Sequence, residues 1–183
     1  MSGIVGQSDN VYLGGYPGPL RELAGIWVEE IDALASEQRN HILFKSGHAA
    51  ECRMLCDIIH LEGAEMIAEY SSDFYSGTPA VTKNSFGKGQ VYYIGSVFDQ
   101  ETLGLILNMA TEDADITAAI EEETRLEIVC RSVADGTLYF IMNFEEEPQK
   151  LPQRFVGLMD IIDNKVLEKE LIFKQYDVRL VKV

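Results

Sequence analysis

Residues 79–96 read PAVTKNSFGKGQVYYIGS, two β-rich runs broken by Gly87-Lys88-Gly89. So short a glycine-bearing break leaves room only for a hairpin, which makes the two runs antiparallel neighbours. The same punctuation recurs at Asp135-Gly136, inside RLEIVCRSVADGTLYFIMNF, where two alternating runs flank the dipeptide. Asp-Gly between alternating runs is a strong short-range hairpin signal. DIIDNKVLEKELIFK and YDVRLVKV supply further strands, with Asp163-Asn164 as a turn. Residues from about 117 to 183 therefore read as a small all-β unit.

The part before it is mixed. Pro19 to Ala24 reads as a short helix, since proline suits a first turn and Gly25 can end it. IWVEEIDAL, 26–34, and HILFKS, 41–46, read as strands. In residues 50–70 the apolar positions satisfy both helical and strand periods. The expectation there is strand near 52–58, a turn at Glu62-Gly63, and strand near 65–70. Residues 99–114 form the best helix, with Asp99 as its cap and Leu103, Ile106, Leu107 and Ala110 along one face.

Just ahead of the short helix lies LGGYPGPLREL, residues 13–23, with three glycines and two prolines. A phosphate cradle is one reading of such a stretch. It lacks the G-x-x-x-x-G-K-[ST] spacing, the G-x-G-x-x-G fingerprint is also absent, and Arg21 is its only cation. A pre-bent corner fits better, because prolines limit φ and glycines permit close backbone approach.

Acidic residues outnumber basic ones 30 to 15, for a net charge of −15. Residues 1–150 carry −16 of this and residues 151–183 carry +1. Nucleic acids and anionic membranes need clustered Lys and Arg, so neither is an expected partner. No apolar run approaches the roughly 20 residues that span a bilayer, and no secretory signal is visible. With 46% hydrophobic and 25% charged residues the balance is that of a globular chain.

Cys52, Cys56 and Cys130 are too few and too odd in number for a disulfide framework. They read as reduced thiols, which suits a cytoplasmic protein. No ligands follow Cys52 and Cys56 at zinc spacing. His41, His48 and His60 are the histidines, with Glu62 and Glu65 near His60, but no H-E-x-x-H motif forms. Cys56 and His60 could pair as nucleophile and base, although no nucleophile elbow surrounds Cys56. Glu121–Glu123 and Glu145–Glu147 read as solvated turns. Asp32, Asp57, Asp73 and Glu62 are formal candidates for a glycosidase carboxylate pair, with no spacing to support them. Trp27, Phe74, Tyr75, Tyr92 and Tyr93 could stack on a sugar, or simply fill sheet faces.

GGYPGPLRELAGIWVEEIDAL, CDIIHLEGAEMIAEYSSDFYSGTPAVTKNSFGKGQVYYIGS and the closing β segment together resemble the C-terminal half of the glycoside hydrolase family 42 β-galactosidases. The resemblance is ordered and spans nearly the whole chain. It implies that residues 1–116 belong to a trimerisation domain of glutamine-amidotransferase-like, flavodoxin-like α/β fold, and residues 117–183 to a C-terminal antiparallel β domain. It also implies that the catalytic (β/α)8 barrel, with both catalytic glutamates and a cysteine-rich metal site, has no counterpart here. SGIVGQSDN resembles a segment that follows the opening βα units of the trimerisation domain, so that domain is expected to be N-terminally truncated.

On this reading the chain is the oligomer-building and accessory portion of an enzyme that hydrolyses terminal β-D-galactosides. No catalytic, cofactor-binding or metal residue is assigned, and no cofactor is implied. The expected partners are further copies, as a trimer, and the absent barrel. The expected interface residues are Tyr16, Pro17, Gly18, Pro19, Leu20, Arg21 and Glu22. Two alternatives stay open: a carbohydrate-binding accessory module, and a stand-alone amidotransferase-like enzyme built on Cys56 and His60.

Overall fold

The computed structural model describes residues 3–183, which form two compact units, one ending at Ile116 and one running from Thr117 to Val183. In the first unit a 3-10 turn at Gly18–Leu20 feeds α1 (Arg21–Ala24). Strands β1 (Ile26–Ala33), β2 (Asn40–Phe44), β3 (Ala49–Leu61) and β4 (Glu65–Tyr70) follow. Then come β5 (Pro79–Phe86), β6 (Gly89–Ile94), β7 (Ser96–Val97) and α2 (Gln100–Asp113). The hairpin at Gly87-Lys88 forms as its sequence requires, pairing Phe86 with Gly89 and Val81 with Ile94.

The long strand β3 organises this unit. Its first residues, 49–52, pair with β2, and its later residues, 55–61, pair with β1. β2 pairs with β4, β4 with β5, and β5 with β6. β7 follows β6 directly and returns to β3 at Arg53 and Cys56. Gly95 N donates to Ala80 O and Asp57 N donates to Gly95 O, so the path of hydrogen bonds closes on itself there, while the rest of β6 pairs with β5 alone. Ile42, Phe44, Cys52, Cys56, Tyr70 and Val81 are among the buried side chains of its core. Ile26, Val28 and Ile59 form a second cluster with Ala24 and Ala64. Each such aliphatic side chain contributes roughly 1.5–3 kcal/mol when fully buried.

Every ladder among the described residues is antiparallel. The α/β layering implied for residues 1–116 is not what these residues display. Connections between β1 and β6 are eight residues at most. Parallel neighbours need crossovers of about a dozen residues or more, so the short turns leave only antiparallel pairing.

Helix α2 corrects the sequence reading by one position. Asp99 caps it as expected, accepting the Thr102 N–H at 2.8 Å, and that bond holds its carboxyl below the usual range. The face it buries is Thr102, Leu105, Ile106 and Met109, whereas Leu103 and Leu107 are exposed. The buried set has regular helical spacing. Strand β6 separates this helix from α1. Its neighbours Tyr92 and Tyr93 point to opposite faces. Tyr92 bonds Asp113 of α2, and Tyr93 joins the cluster that holds Ala24 of α1.

The second unit contains β8 (Glu127–Val133), β9 (Gly136–Met142), β10 (Gln149–Lys150), β11 (Met159–Asp160), β12 (Lys165–Val166), β13 (Ile172–Phe173) and β14 (Val178–Lys182). Its main sheet runs β12-β11-β14-β9-β8, with β10 and β13 as a separate pair. The hairpin loop is Ala134-Asp135, and Gly136 is the first residue of β9. Gly136 holds φ +146°, with Val183 O where a Cβ would sit. Leu126, Tyr139, Ile141, Phe155, Phe173 and Val181 fill the core. Asn143 is fully buried and fully used: its amide donates to Glu147 O and Phe173 O, and its oxygen accepts from Glu145 N.

Gly25 is the residue on which α1 and the β3–β4 turn meet. It ends the helix at φ +64°, donates to Arg21 O, and accepts from Glu62 N and Ala64 N. A Cβ there would stand 2.7 Å from the Asn84 side chain and 2.9 Å from Ala64 N. Left-handed strain plus this clash should make Gly25→Ala destabilising by about 2 kcal/mol. Urea unfolding of the variant and the parent checks this, and an unchanged midpoint refutes it.

Candidate functional site

The segment expected to form an interface is fastened to the fold at several points. Val28 N donates to Tyr16 O at 2.6 Å, and Leu20 N donates to Pro17 O at 2.8 Å. The Tyr16–Pro17 peptide bond is cis. Two of its glycines serve close approach. A Cβ on Gly15 would lie 2.8 Å from the Trp27 ring, and one on Gly18 would lie 2.5 Å from the Tyr12 ring. Larger residues would push this segment off those rings.

Arg21 locks the segment from outside. Its Nε donates to Glu62 Oε2 at 2.5 Å, its Nη2 to Glu62 Oε1, and its Nη1 to Gly14 O at 2.8 Å. Such two-pronged pairing fixes geometry as well as charge. The guanidinium holds Glu62 below the usual carboxylate range. It also lies 5.7 Å from the centre of the Trp27 ring. Trp27 in turn stacks on His60 at 4.4 Å and 13°, and His60 Nε2 is 2.7 Å from Glu29 Oε2. The cation that a phosphate cradle would need is thus committed to a carboxylate.

The seven interface candidates divide by burial. Pro17 is buried and Tyr16, Gly18 and Arg21 are half-buried, whereas Pro19, Leu20 and Glu22 are exposed. Sequence reasoning missed the neighbours that extend the exposed apolar rim: Val5, Val11, Tyr12 and, above all, Leu13, at 98% exposure. The signal was present in Leu13, an aliphatic residue directly before two glycines. Trp27 and His60 carried no local signal, since their stack joins β1 to β3.

Beneath the rim lies a buried carboxylate. Asp57 is 4% exposed, and its Oδ2 accepts the Tyr93 hydroxyl at 2.6 Å. Its Oδ1 has no hydrogen-bond partner. Burial raises the Asp57 pKa, against the opposing effect of the Tyr93 hydrogen bond. Burial, together with the charge of Asp57, pushes the Tyr16 hydroxyl up to about 12.

The remaining candidates do not converge. His41 is near Glu51, His48 tilts against Phe44, and His60 belongs to the Trp27 stack. Glu65 pairs with Lys45. No group of three or more metal-ligating side chains occurs among the described residues. Cys56 is buried beside Cys52, at an Sγ–Sγ distance of 3.8 Å, while His60 is exposed and bound to Glu29. The nucleophile–base pair of the amidotransferase-like alternative is therefore not assembled. Asp32 accepts the Tyr75 hydroxyl at 2.8 Å, and Asp73 accepts the Phe74 N–H. The aromatic candidates are likewise dispersed: Tyr75 is buried, Tyr92 and Tyr93 are bound to Asp113 and Asp57, and only Phe74 is freely exposed. Glu122 accepts the Gln153 N–H, and its neighbours Glu121 and Glu123 are exposed. No helix is long and apolar enough to cross a membrane among the described residues.

Comparison with known proteins gives a consistent answer. The sequence model of the β-galactosidase trimerisation domain matches residues 1–117, and that of the β-galactosidase C-terminal domain matches residues 125–182. The β-galactosidase LacA of Lactobacillus acidophilus is 40% identical over 183 residues, which is 100% of this chain and 27% of that protein. The crystal structure of a β-galactosidase from Bacillus circulans sp. alkalophilus superposes with a TM-score of 0.83 at 34% identity, over 99% of this chain and 28% of that one. A catalytic mutant of Gan42B, a GH42 β-galactosidase of G. stearothermophilus, gives 0.78 at 31% identity, over 98% and 26%. The chain thus spans about a quarter of the length of the curated relatives it matches.

The Asp57 site makes a pH-dependent prediction. A carboxyl whose folded pKa lies above its ordinary 3.8 binds protons more tightly when folded. Its stabilising contribution is present below the unfolded value and is lost as pH rises through the folded value. Asp57→Asn keeps an acceptor for Tyr93 and removes the charge. Its stability relative to the parent should therefore climb as pH rises from about 4 towards neutrality. Denaturant titrations across that range check this, and a flat difference refutes it.

Proposed function

The chain belongs to the glycoside hydrolase family 42 β-galactosidases, through their trimerisation and C-terminal domains, and from that premise we propose that it is an oligomer-building, accessory portion with no reaction of its own. Residues 1–116 hold copies together, and residues 117–183 form the accessory β domain. The observation that carries this reading is the pairing of exposed apolar residues with a rigid support. Leu13 and Leu20 stand on a segment that Arg21, Glu62 and the Tyr16–Val28 bridge hold in shape. A preformed surface loses little entropy on docking, so exposed apolar area there converts efficiently into association.

The rest of the reading follows from the extent of the relatives. A catalytic barrel supplied elsewhere would carry both carboxylates of a retaining galactoside hydrolysis. The amidotransferase-like α/β layering belongs to this same reading, with the antiparallel ring as the closing part of a larger layered domain. Assembly then shapes access to the barrel without lending it a reactive group. The dispersal of Cys56, His60, Asp32 and Asp57 supports an inert chain.

Light scattering of the purified chain should report the mass of three copies. Leu13→Asp with Leu20→Asp should weaken association roughly tenfold or more, since charged groups cannot be desolvated cheaply at an interface core. A monomeric parent, or a double variant with unaltered assembly, removes the interface assignment. A chromogenic β-galactoside should not be turned over. Hydrolysis that survives repurification and is lost on a point substitution in this chain overturns the proposal.

A further inference from the structure

Four residues along a strand ordinarily separate two side chains by about 13 Å, yet the sulfurs of Cys52 and Cys56 lie 3.8 Å apart. The cause is between them. Met54 holds φ +70°, and the register of β3 against β7 slips between Arg53 and Cys56. The strand folds sharply at that point, and Leu34 N donates to Met54 O at 2.9 Å to hold it there. Both thiols are fully buried.

The geometry points to a peroxide-responsive dithiol: we propose that Cys52 and Cys56 close to an intrastrand disulfide when the protein meets hydrogen peroxide or a related small hydroperoxide. This does not depend on the assembly reading. Hydroxyl groups lie against the pair. Ser96 Oγ is 3.8 Å from Cys56 Sγ and donates to Leu55 O, Tyr70 donates to Gly95 O, and Tyr75 donates to Asp32. Cys52 borders a hollow of about 90 Å³ lined also by Arg39, Arg53 and Asp99. That volume admits a molecule slightly larger than water, whose share of liquid volume is about 30 Å³. The two-residue strand β7 pairs with β3 at Arg53 and Cys56, beside the thiols, and its local opening would admit a small oxidant. Bulky alkylating reagents are excluded by the same covering.

The contact between the two sulfurs lowers the Cys56 thiol and, together with burial, raises that of Cys52, so Cys56 is taken as the attacking partner. Its thiolate attacks one peroxide oxygen, the O–O bond breaks, and hydroxide leaves to take up a proton as water. The resulting sulfenic acid is attacked by the Cys52 sulfur. The S–O bond breaks, the S–S bond forms, and the departing hydroxide takes the Cys52 proton as a second water. Two thiols lose two electrons, and the peroxide gains them. The sulfurs must close from 3.8 Å to about 2.05 Å, which tightens the fold in β3 at Met54.

The test is mass spectrometry of the whole chain after millimolar hydrogen peroxide, with denaturing alkylation as the quench. The expected product is lighter by two hydrogens, retains one alkylatable thiol of the original three, and regains the others with dithiothreitol. Peptide mapping should join Cys52 to Cys56 and leave Cys130 alkylated. Cys56→Ala should abolish the loss, and the mapping of the parent decides the matter even if that variant does not fold. Three thiols still alkylatable after exposure, a bond to Cys130, or oxidation of either cysteine to a sulfinic acid without a bond would each overturn the proposal.

Discussion

The first unit depends on one strand satisfying three neighbours. β3 pairs with β2 through its first residues, with β1 through its last, and with β7 at the point where it bends. A straight strand could present only two edges to two neighbours. The left-handed residue Met54 lets β3 leave the ring it shares with β2 and extend beside β1. Such strain costs on the order of 1–3 kcal/mol and persists only where surrounding contacts over-determine it. The ring closure and the core around Ile42, Tyr70 and Val81 supply those contacts.

Outside the ring, the segment from Leu13 to Glu22 is rigid for reasons visible atom by atom. Gly15 and Gly18 let the backbone press against Trp27 and Tyr12. Arg21 then closes the arrangement by reaching both Gly14 and Glu62. The two sides of the pair are partly exposed, so their value lies in geometry more than in stability. Asp57 below shows the reverse balance: it is buried with one oxygen unpartnered, and burial resists its charge.

The elements legible in the sequence were those set by local chemistry. Gly87-Lys88 marked its hairpin, Asp99 marked its helix cap, and Gly25 marked the end of α1. The region from 50 to 70 was legible as strand–turn–strand, but β3 proved longer than 52–58 because its alternation breaks at Met54. The face of α2 was misplaced because Thr102, a polar residue, is buried where it closes the Asp99 cap, while Leu103 and Leu107 are not. The α/β expectation came from resemblance to a whole domain, and these residues supply only antiparallel hydrogen bonding. Arg21–Glu62 and Trp27–His60 join residues far apart in the chain, and no local spacing announces such pairs.

The exposed Leu103 and Leu107 of α2 and the Leu13 rim lie on opposite sides of strand β6, because Tyr92 and Tyr93 reach the two helices from opposite faces. A three-fold ring is built head to tail, each member offering one surface forward and a different one behind. If the proposed assembly used the Leu13 rim on one side and these leucines on the other, a subunit keeping only one of them would join a ring and then block it, acting as a chain terminator for intact copies.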